Sequence, residues 1–362
     1  MKYIDEYRDP ELADALLGEI RKVAEGLDKS VTIMEVCGSH TMAIGRYGIR
    51  GLLPENIRLV SGPGCPVCVT AIRDIDTALY IAGLPGIIFT TFGDMIRVPG
   101  SRGATLQKAR AAGADVRVIA SGQDVADIAA ANPDRQVVFM GIGFETTSPI
   151  IAAMIRSCKL KRIGNLSVFS VHKTIPPAMK ALIGDPQLNI EGFLCPGHVS
   201  IIIGADAYAF IAAAGRAAVV TGFEPIDILE GILMVIRQIR EKAPRVEIQY
   251  ARAVRPQGNQ RAREMLAEVF DTATVEWRGL GFIPDSGLVL KKENDPFNAL
   301  CRFDIPEIQS SDMSKCMCGD ILRGIASPGD CPMYKVHCHP LNPIGPCMVS
   351  SEGTCAAYYK YA

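Results

Sequence analysis

The chain reads as a succession of short continuous apolar runs, each followed by a Gly-rich turn and then by apolar residues at helical spacing. The runs are 31–36 (VTIMEV), 57–60 (IRLV), 86–90 (GIIFT), 116–120 (VRVIA), 136–140 (QVVFM), 166–170 (LSVFS), 191–195 (EGFLC) and 217–221 (AAVVT). Strands that are apolar on both faces, separated by helical segments, indicate parallel sheets covered on both sides. An acidic amphipathic helix is expected before the first strand. A second strong helix is expected at 225–242, with Pro225 at its start and Pro244 just past its end.

The two sets of four strands resemble one another at an offset of roughly a hundred residues. VTIMEVCGSHTM aligns loosely with QVVFMGIGFETT, and VRVIASGQDVADIA aligns better with AAVVTGFEPIDIL. The expectation is an internal duplication: two similar α/β domains at 1–130 and 131–245, followed by a third unit at 246–362. That third unit holds a strand-like run (VEIQYARAV), a helix near 257–270 and a loop-rich tail.

The tail cannot order itself by burial alone. It is broken repeatedly by Gly and Pro, and it carries six of the chain's twelve cysteines: Cys316, Cys318, Cys331, Cys338, Cys347 and Cys355. Segments this short and turn-rich usually need a metal, disulfides or a larger neighbour. Cys316, Cys331, Cys338 and Cys355 are separated by fourteen, six and sixteen residues, which is neither a zinc-ribbon nor a bacterial ferredoxin spacing. A [4Fe–4S] cluster, zinc and disulfides all remain open on spacing.

Composition narrows the class. With 48% hydrophobic and 21% charged residues and a net charge of −1, the chain is an ordinary globular protein with no electrostatic signature for nucleic acid or anionic membranes. Its most apolar stretch, 199–215, is interrupted by Asp206 and two glycines, which argues against a membrane span. The start does not read as an export signal, so a cytoplasmic, reducing location is expected. Cysteines there are more often metal ligands or redox groups than static disulfides.

In open α/β sheets, function collects in loops at the carboxyl ends of strands. Strand 31–36 runs into Cys37-Gly38-Ser39-His40, 57–60 into SGPGCPVC, and 86–90 into TFGD with Asp94. Strand 136–140 leads to Glu145, 166–170 to His172 and Lys173, and 191–195 to His198. Cys65 and Cys68, two residues apart after a Gly-Pro-Gly turn, suit a redox dithiol, half of a metal site, or two buried cysteines; in the redox case the upstream cysteine is the better nucleophile. Cys37 and His40 could bind a metal or form a nucleophile pair, or be a buried Cys beside a capping Ser. Asp94, Glu145, His172, His198 and Glu352 could each be only a cap or turn residue. Cys158, Cys195 and Cys301 are isolated and expected in the core. No phosphate-loop or dinucleotide fingerprint is present, since GIGFETT lacks the third Gly.

CGSHT, SGPGCPVCVT, TFGDMIRVPG, GIGFETTSP, PGHVS and IGPCMVSSEGTCAAYYKY together resemble the HypD family of hydrogenase maturation proteins over nearly the whole chain. The resemblance implies a [4Fe–4S] cluster on Cys316, Cys331, Cys338 and Cys355, with Cys318 and Cys347 left as a redox pair beside it. It also implies Cys37 as a ligand of the iron being built into Fe(CN)2CO, Cys65 and Cys68 as a second redox pair, and activity associated with His40, Asp94, His198 and Glu352. The implied partners are the small chaperone HypC, which supplies another cysteine ligand, and HypE, which delivers cyanide from a thiocyanate. The resulting expectation is an assembly scaffold with redox capacity rather than a conventional turnover enzyme. The alternative is a ferredoxin-dependent thiol–disulfide reductase of a protein partner. CGSHT favours the scaffold, because a pure reductase has no need of the extra Cys–His site.

Overall fold

The computed structural model describes residues 5–311 and 315–361. Eight parallel-sheet strands form where the apolar runs fall: β1 (Val31–Glu35), β2 (Ile57–Ser61), β3 (Ile87–Phe92), β4 (Val116–Ile119), β5 (Gln136–Gly141), β6 (Leu166–Ser170), β7 (Gly192–Pro196) and β8 (Ala217–Thr221). A short β9 (Val246–Ile248) is all that forms of the VEIQYARAV run, and an antiparallel hairpin follows, β10 (Phe270–Trp277) and β11 (Gly281–Leu290). The protein is α/β, with two parallel sheets and a loop-rich, cysteine-bearing C-terminal region.

The strands are not shared out at residue 130. One sheet has the order β2-β1-β7-β8-β9 and the other β4-β3-β5-β6. β1 pairs with β7 through Ile33↔Gly192 and Met34↔Phe193, across most of the two repeats. The boundaries expected at 130 and 245 therefore do not describe the sheets. Strands beginning at 31, 57, 87 and 116 recur at 136, 166, 192 and 217, so the duplication is real at the level of element order. The copies have exchanged halves: each sheet takes two strands from the first repeat and two from the second. Apolar runs report that a strand is buried, not which strand it pairs with.

Three apolar clusters glue the layers. The largest lies between the sheets and joins Met34, Phe89, Met140, Phe193 and Val220 to the tail residues Ile321, Leu322 and Met348. A second packs the helices Pro10–Ala24 and Pro225–Glu241 on the outer face of the first sheet, through Leu17, Ile20, Ile228, Ile232 and Ile236. Both helices begin with Pro at the first turn. Asp9 caps one, and Glu224 with Asp227 forms a capping box on the other. The third cluster covers the outer face of the second sheet.

The hairpin ties the tail to this body. The buried Trp277 bridges to Thr70, just after the CPVC turn, and Arg278 N–H donates to the Val69 carbonyl at 2.9 Å. The last helix, Thr354–Tyr361, returns against Gly38–Arg46, with Arg50 over the Tyr358 ring at 4.6 Å. Among the described residues, no helix is long and apolar enough to cross a membrane.

Candidate functional site

Each sheet order reverses at one point, between β1 and β7 in the first sheet and between β3 and β5 in the second. Crevices beyond the carboxyl ends of strands open at such points. The first receives Cys37, Gly38, Ser39 and His40 from β1 and His198 from β7; the second receives Asp94 from β3 and Glu145 from β5.

Cys37 is the N-cap of the helix Gly38–Arg46 and is 8% exposed. Its N–H donates to Glu35 Oε2 at 3.1 Å, and the Thr41 hydroxyl holds the other oxygen of that buried carboxylate. Burial, then the nearby Glu352 charge, pushes the Cys37 thiol up to about 12. A thiol this dry stays protonated at physiological pH. The backbone is tight on this side: a Cβ on Gly64 would stand 2.2 Å from the Cys37 nitrogen, so the CPVC loop passes directly against Cys37.

His40 is fully buried. Its Nε2 donates to the carbonyls of Thr221 (3.2 Å) and Gly222 (2.9 Å), which leaves Nδ1 without a proton and, among the described residues, without a partner. Burial lowers its pKa to about 4, so the ring is neutral at physiological pH. It is turned toward the end of β8 by these bonds and does not make a Cys–His nucleophile pair. Phe223 lies between the two crevice histidines, with ring centroids 5.0 Å from His40 and 3.8 Å from the exposed His198. Tyr250 closes on the same ring edge-on at 5.7 Å. Phe223 and Tyr250 carried little signal in the sequence: Phe223 is an aromatic residue after a glycine at the end of β8, and Tyr250 lies two residues past β9.

Glu352 comes from the tail. Its Oε1 accepts from Ser39 Oγ at 3.0 Å, and a Cβ on Gly38 would lie 2.5 Å from the Glu352 Cβ. Burial, and then the neighbouring Asp94 carboxylate, raise its pKa. Cys37, Ser39, Asp94 and Glu352 thus occupy one locality, assembled from β1, β3 and the C-terminus. Glu145 is buried separately: Oε1 accepts from the Ile175 N–H at 3.0 Å, Oε2 has no partner among the described residues, and burial raises the carboxyl to about 7. His172 bonds Ser170 through Nδ1 at 3.0 Å and is held neutral by burial. Lys173 is buried, donating to the Glu276 carbonyl at 2.8 Å and lying 5.7 Å above the Trp277 ring.

The cysteines form a line. Cys65 caps the short helix Pro66–Val69, and its sulfur stands 2.6 Å from that of Cys68. Cys68 lies beside Cys347, Cys347 Sγ is 2.9 Å from Cys318 Sγ, and Cys318 lies beside Cys316. Cys68, Cys318 and Cys347 are buried and their thiols are pushed well up. Cys355 in turn feels Cys316, Cys338 and Cys331, and Cys338 feels Cys316 and Cys331. None of the twelve cysteines is in a disulfide. Cys158 and Cys195 lie in the core, whereas Cys301, expected there too, is exposed on the short helix Ala299–Arg302.

Among the described residues, no three His, Cys, Asp or Glu side chains converge on one point as a single ion requires. Cys316, Cys331, Cys338 and Cys355 are neighbours in the tail. His337 and His339 flank Cys338; His337 is exposed, and the His339 backbone bonds Asn342.

This fold and site define a class: an α/β protein with a buried cysteine in its crevice and a run of buried thiols close by. A family model described as HypD, hydrogenase formation hypA family, matches residues 11–362. The chain is 47% identical to hydrogenase maturation factor HypD2 of Bradyrhizobium diazoefficiens, over all of this chain and 97% of that protein. It is 44% identical to hydrogenase maturation factor HypD of Escherichia coli, over all of this chain and 98% of that one. A putative hydrogenase expression/formation protein of Methanocaldococcus jannaschii is 44% identical over 98% of each chain. The chain belongs to the HypD family of hydrogenase maturation factors.

Proposed function

We propose that this protein is the scaffold on which the Fe(CN)2CO group of a [NiFe]-hydrogenase is assembled, with Cys37 holding the iron and the thiol line supplying electrons. The observation that carries this reading is the continuity of Cys65, Cys68, Cys347 and Cys318, beginning at the loop that presses on Cys37 and ending at the four-cysteine nest. Cys316, Cys331, Cys338 and Cys355 would hold a [4Fe–4S] cluster, which supplies one-electron exchange when bound.

The thiols themselves move electrons in pairs. Starting from a Cys65–Cys68 disulfide, the Cys347 thiolate attacks the Cys68 sulfur and Cys65 leaves as a thiolate that takes up a proton. Cys318 then attacks Cys347, releasing Cys68. The Cys318–Cys347 pair is oxidised and the Cys65–Cys68 pair reduced, with two electrons transferred. Reductive release of cyanide from a protein thiocyanate also takes two electrons: the S–C bond breaks, the dithiol becomes a disulfide, and its two protons leave with the thiol and the cyanide. The crevice beside Cys37 receives the cyanide, and the HypE thiocyanate docks against His198 and Phe223. HypC completes the iron's thiolate ligation, and soft sulfur suits iron carrying cyanide and carbonyl.

The test is iron quantification and infrared spectroscopy of the complex with HypC. Cys37→Ala should lose the extra iron and its cyanide and carbonyl bands while the visible absorbance of the cluster stays. Iron retained at wild-type level in that variant removes Cys37 from the role. A colourless, zinc-loaded wild type removes the electron supply.

A further inference from the structure

The turn between β10 and β11 touches both halves of the thiol line. It closes with the Leu280 N–H on the Trp277 carbonyl at 3.1 Å, and Gly279 takes its third position at a φ of +80°, where a side chain is disfavoured. Three consecutive residues then make contacts in two directions. Trp277 bridges to Thr70, and the Arg278 N–H donates at 2.9 Å to the carbonyl of Val69, the first residue after Cys68. Gly279 lies against Gly319, the first residue after Cys318. A Cβ on Gly279 would stand 2.3 Å from the Gly319 Cα, and one on Gly319 would stand 2.9 Å from the Gly279 Cα. Two backbones this close leave no room for a side chain on either. Gly281, at the other end of the turn, is the contrast: its φ is +77°, yet a Cβ there would meet nothing within 4 Å among the described residues. The contact at Gly279 is therefore more than a tight turn requires.

We propose that this turn positions the two dithiols for exchange, holding the helix Pro66–Val69, with Cys68, and the helix Cys318–Leu322 in register through the contact of Gly279 with Gly319. The inference rests on the thiol relay proposed above and names what keeps its two ends aligned. Cys65 and Cys68 share one short segment and need no such help. Cys318 and Cys347 are 29 residues apart, meet at 2.9 Å, and must also meet Cys68, which lies beside Cys347. Thiol exchange needs the attacking sulfur aligned on the disulfide it opens, and a displacement of about 1 Å can cost about 100-fold in rate. Two packed glycines set the separation of the segments at the width of two backbones, with no side-chain rotamer to loosen it.

The experiment uses anaerobic, fully reduced, full-length protein. One equivalent of diamide takes two electrons and two protons from a thiol pair and leaves one disulfide per chain. Acid quenching at successive times, with peptide mass spectrometry, follows the movement of that disulfide between Cys65–Cys68 and Cys318–Cys347, an exchange that needs no further electrons. Wild type should show the movement, and Gly279→Ala should slow it about 100-fold. Gly319→Ala should slow it too; that residue lies on a helix without left-handed backbone, so the variant tests the same contact free of turn strain. Gly281→Ala carries the strain without the contact and should keep the wild-type rate. With Cys318→Ser and Cys347→Ser in place, closure of Cys65 with Cys68 should proceed equally fast with and without Gly279→Ala; a slowed closure marks general damage and overturns the positioning role. Wild-type movement in either Gly279→Ala or Gly319→Ala overturns it as well, as does equal slowing in Gly281→Ala, which assigns the effect to the turn's own strain. A disulfide that never moves in wild type counts instead against the relay, and takes the positioning role with it.

Discussion

Glu145→Gln tests whether the second crevice holds a carboxyl that is neutral at the lower end of the physiological pH range. In the fold its carboxyl titrates at about 7 because burial disfavours the charged form; the ordinary value is 4.5. At 1.36 kcal/mol for each tenfold in proton affinity, ionising the folded protein costs roughly 3 kcal/mol relative to the unfolded chain. The folded pKa is the higher one, so the folded state holds more protons between these limits. The contribution of Glu145 to stability therefore falls as pH rises from about 4.5 to about 7, then levels. Glutamine keeps the oxygen that accepts from Ile175 and cannot ionise, but it buries an amide N–H₂ where Oε2 has no partner, at about 1–3 kcal/mol at every pH. The variant should be less stable than wild type near pH 5 and equal to it or more stable at pH 8. Trp277 is the only tryptophan and stacks on Phe144 at 6.0 Å, so its fluorescence during urea unfolding reports the right neighbourhood. A stability difference between the two proteins that stays constant from pH 5 to pH 8 refutes the argument.

Three further outcomes follow from the geometry. Cys65→Ser with Cys318→Ser leaves Cys68 and Cys347 as mutual neighbours; mild oxidation should link them, and peptide mass spectrometry that finds no such crosslink breaks the thiol line at its centre. Gly64→Ala drives a methyl to within 2.2 Å of the Cys37 nitrogen; overpacking of this kind costs about 1–3 kcal/mol, and Cys37 should become reactive to iodoacetamide, whereas unchanged labelling would show that the loop yields freely. Asp227→Asn removes the buried charge that holds Arg252 and Gln249; a loss on the order of 2–3 kcal/mol is expected from hydrogen bonds to a charged group, read as a lowered urea midpoint.

What the sequence disclosed depended on which physical property each residue pattern reports. Continuous apolar runs marked eight of the nine parallel strands to within a residue or two, because a strand covered on both faces must be apolar throughout. Pairing is a long-range property, and nothing in Val31–Glu35 says that its neighbour is Gly192–Pro196 rather than a strand of its own repeat. The residues at strand ends were visible because Cys, His and Asp are conspicuous beside glycine. Phe223 was not, because an aromatic side chain carries no chemistry until two histidines are found on its faces. The tail's six cysteines could be counted but not sorted, since Cys318 and Cys347 become a pair only when the loops between them fold back.

The exchange of halves between the two repeats has a consequence during synthesis. The strands β3 to β6 occupy one uninterrupted stretch, 87–170, so that sheet can close as soon as it leaves the ribosome. β1 must wait for β7. With some 130 residues between the end of β2 and the start of β7, and translation at about 5–20 residues per second, the delay is on the order of ten seconds. For that interval the apolar edge of β1 is unpaired and open to wrong partners. The same delay has a protective side. His198 and the far wall of the Cys37 crevice arrive only with β7 and β8, so an unfinished chain displays Cys37 without the crevice that encloses it.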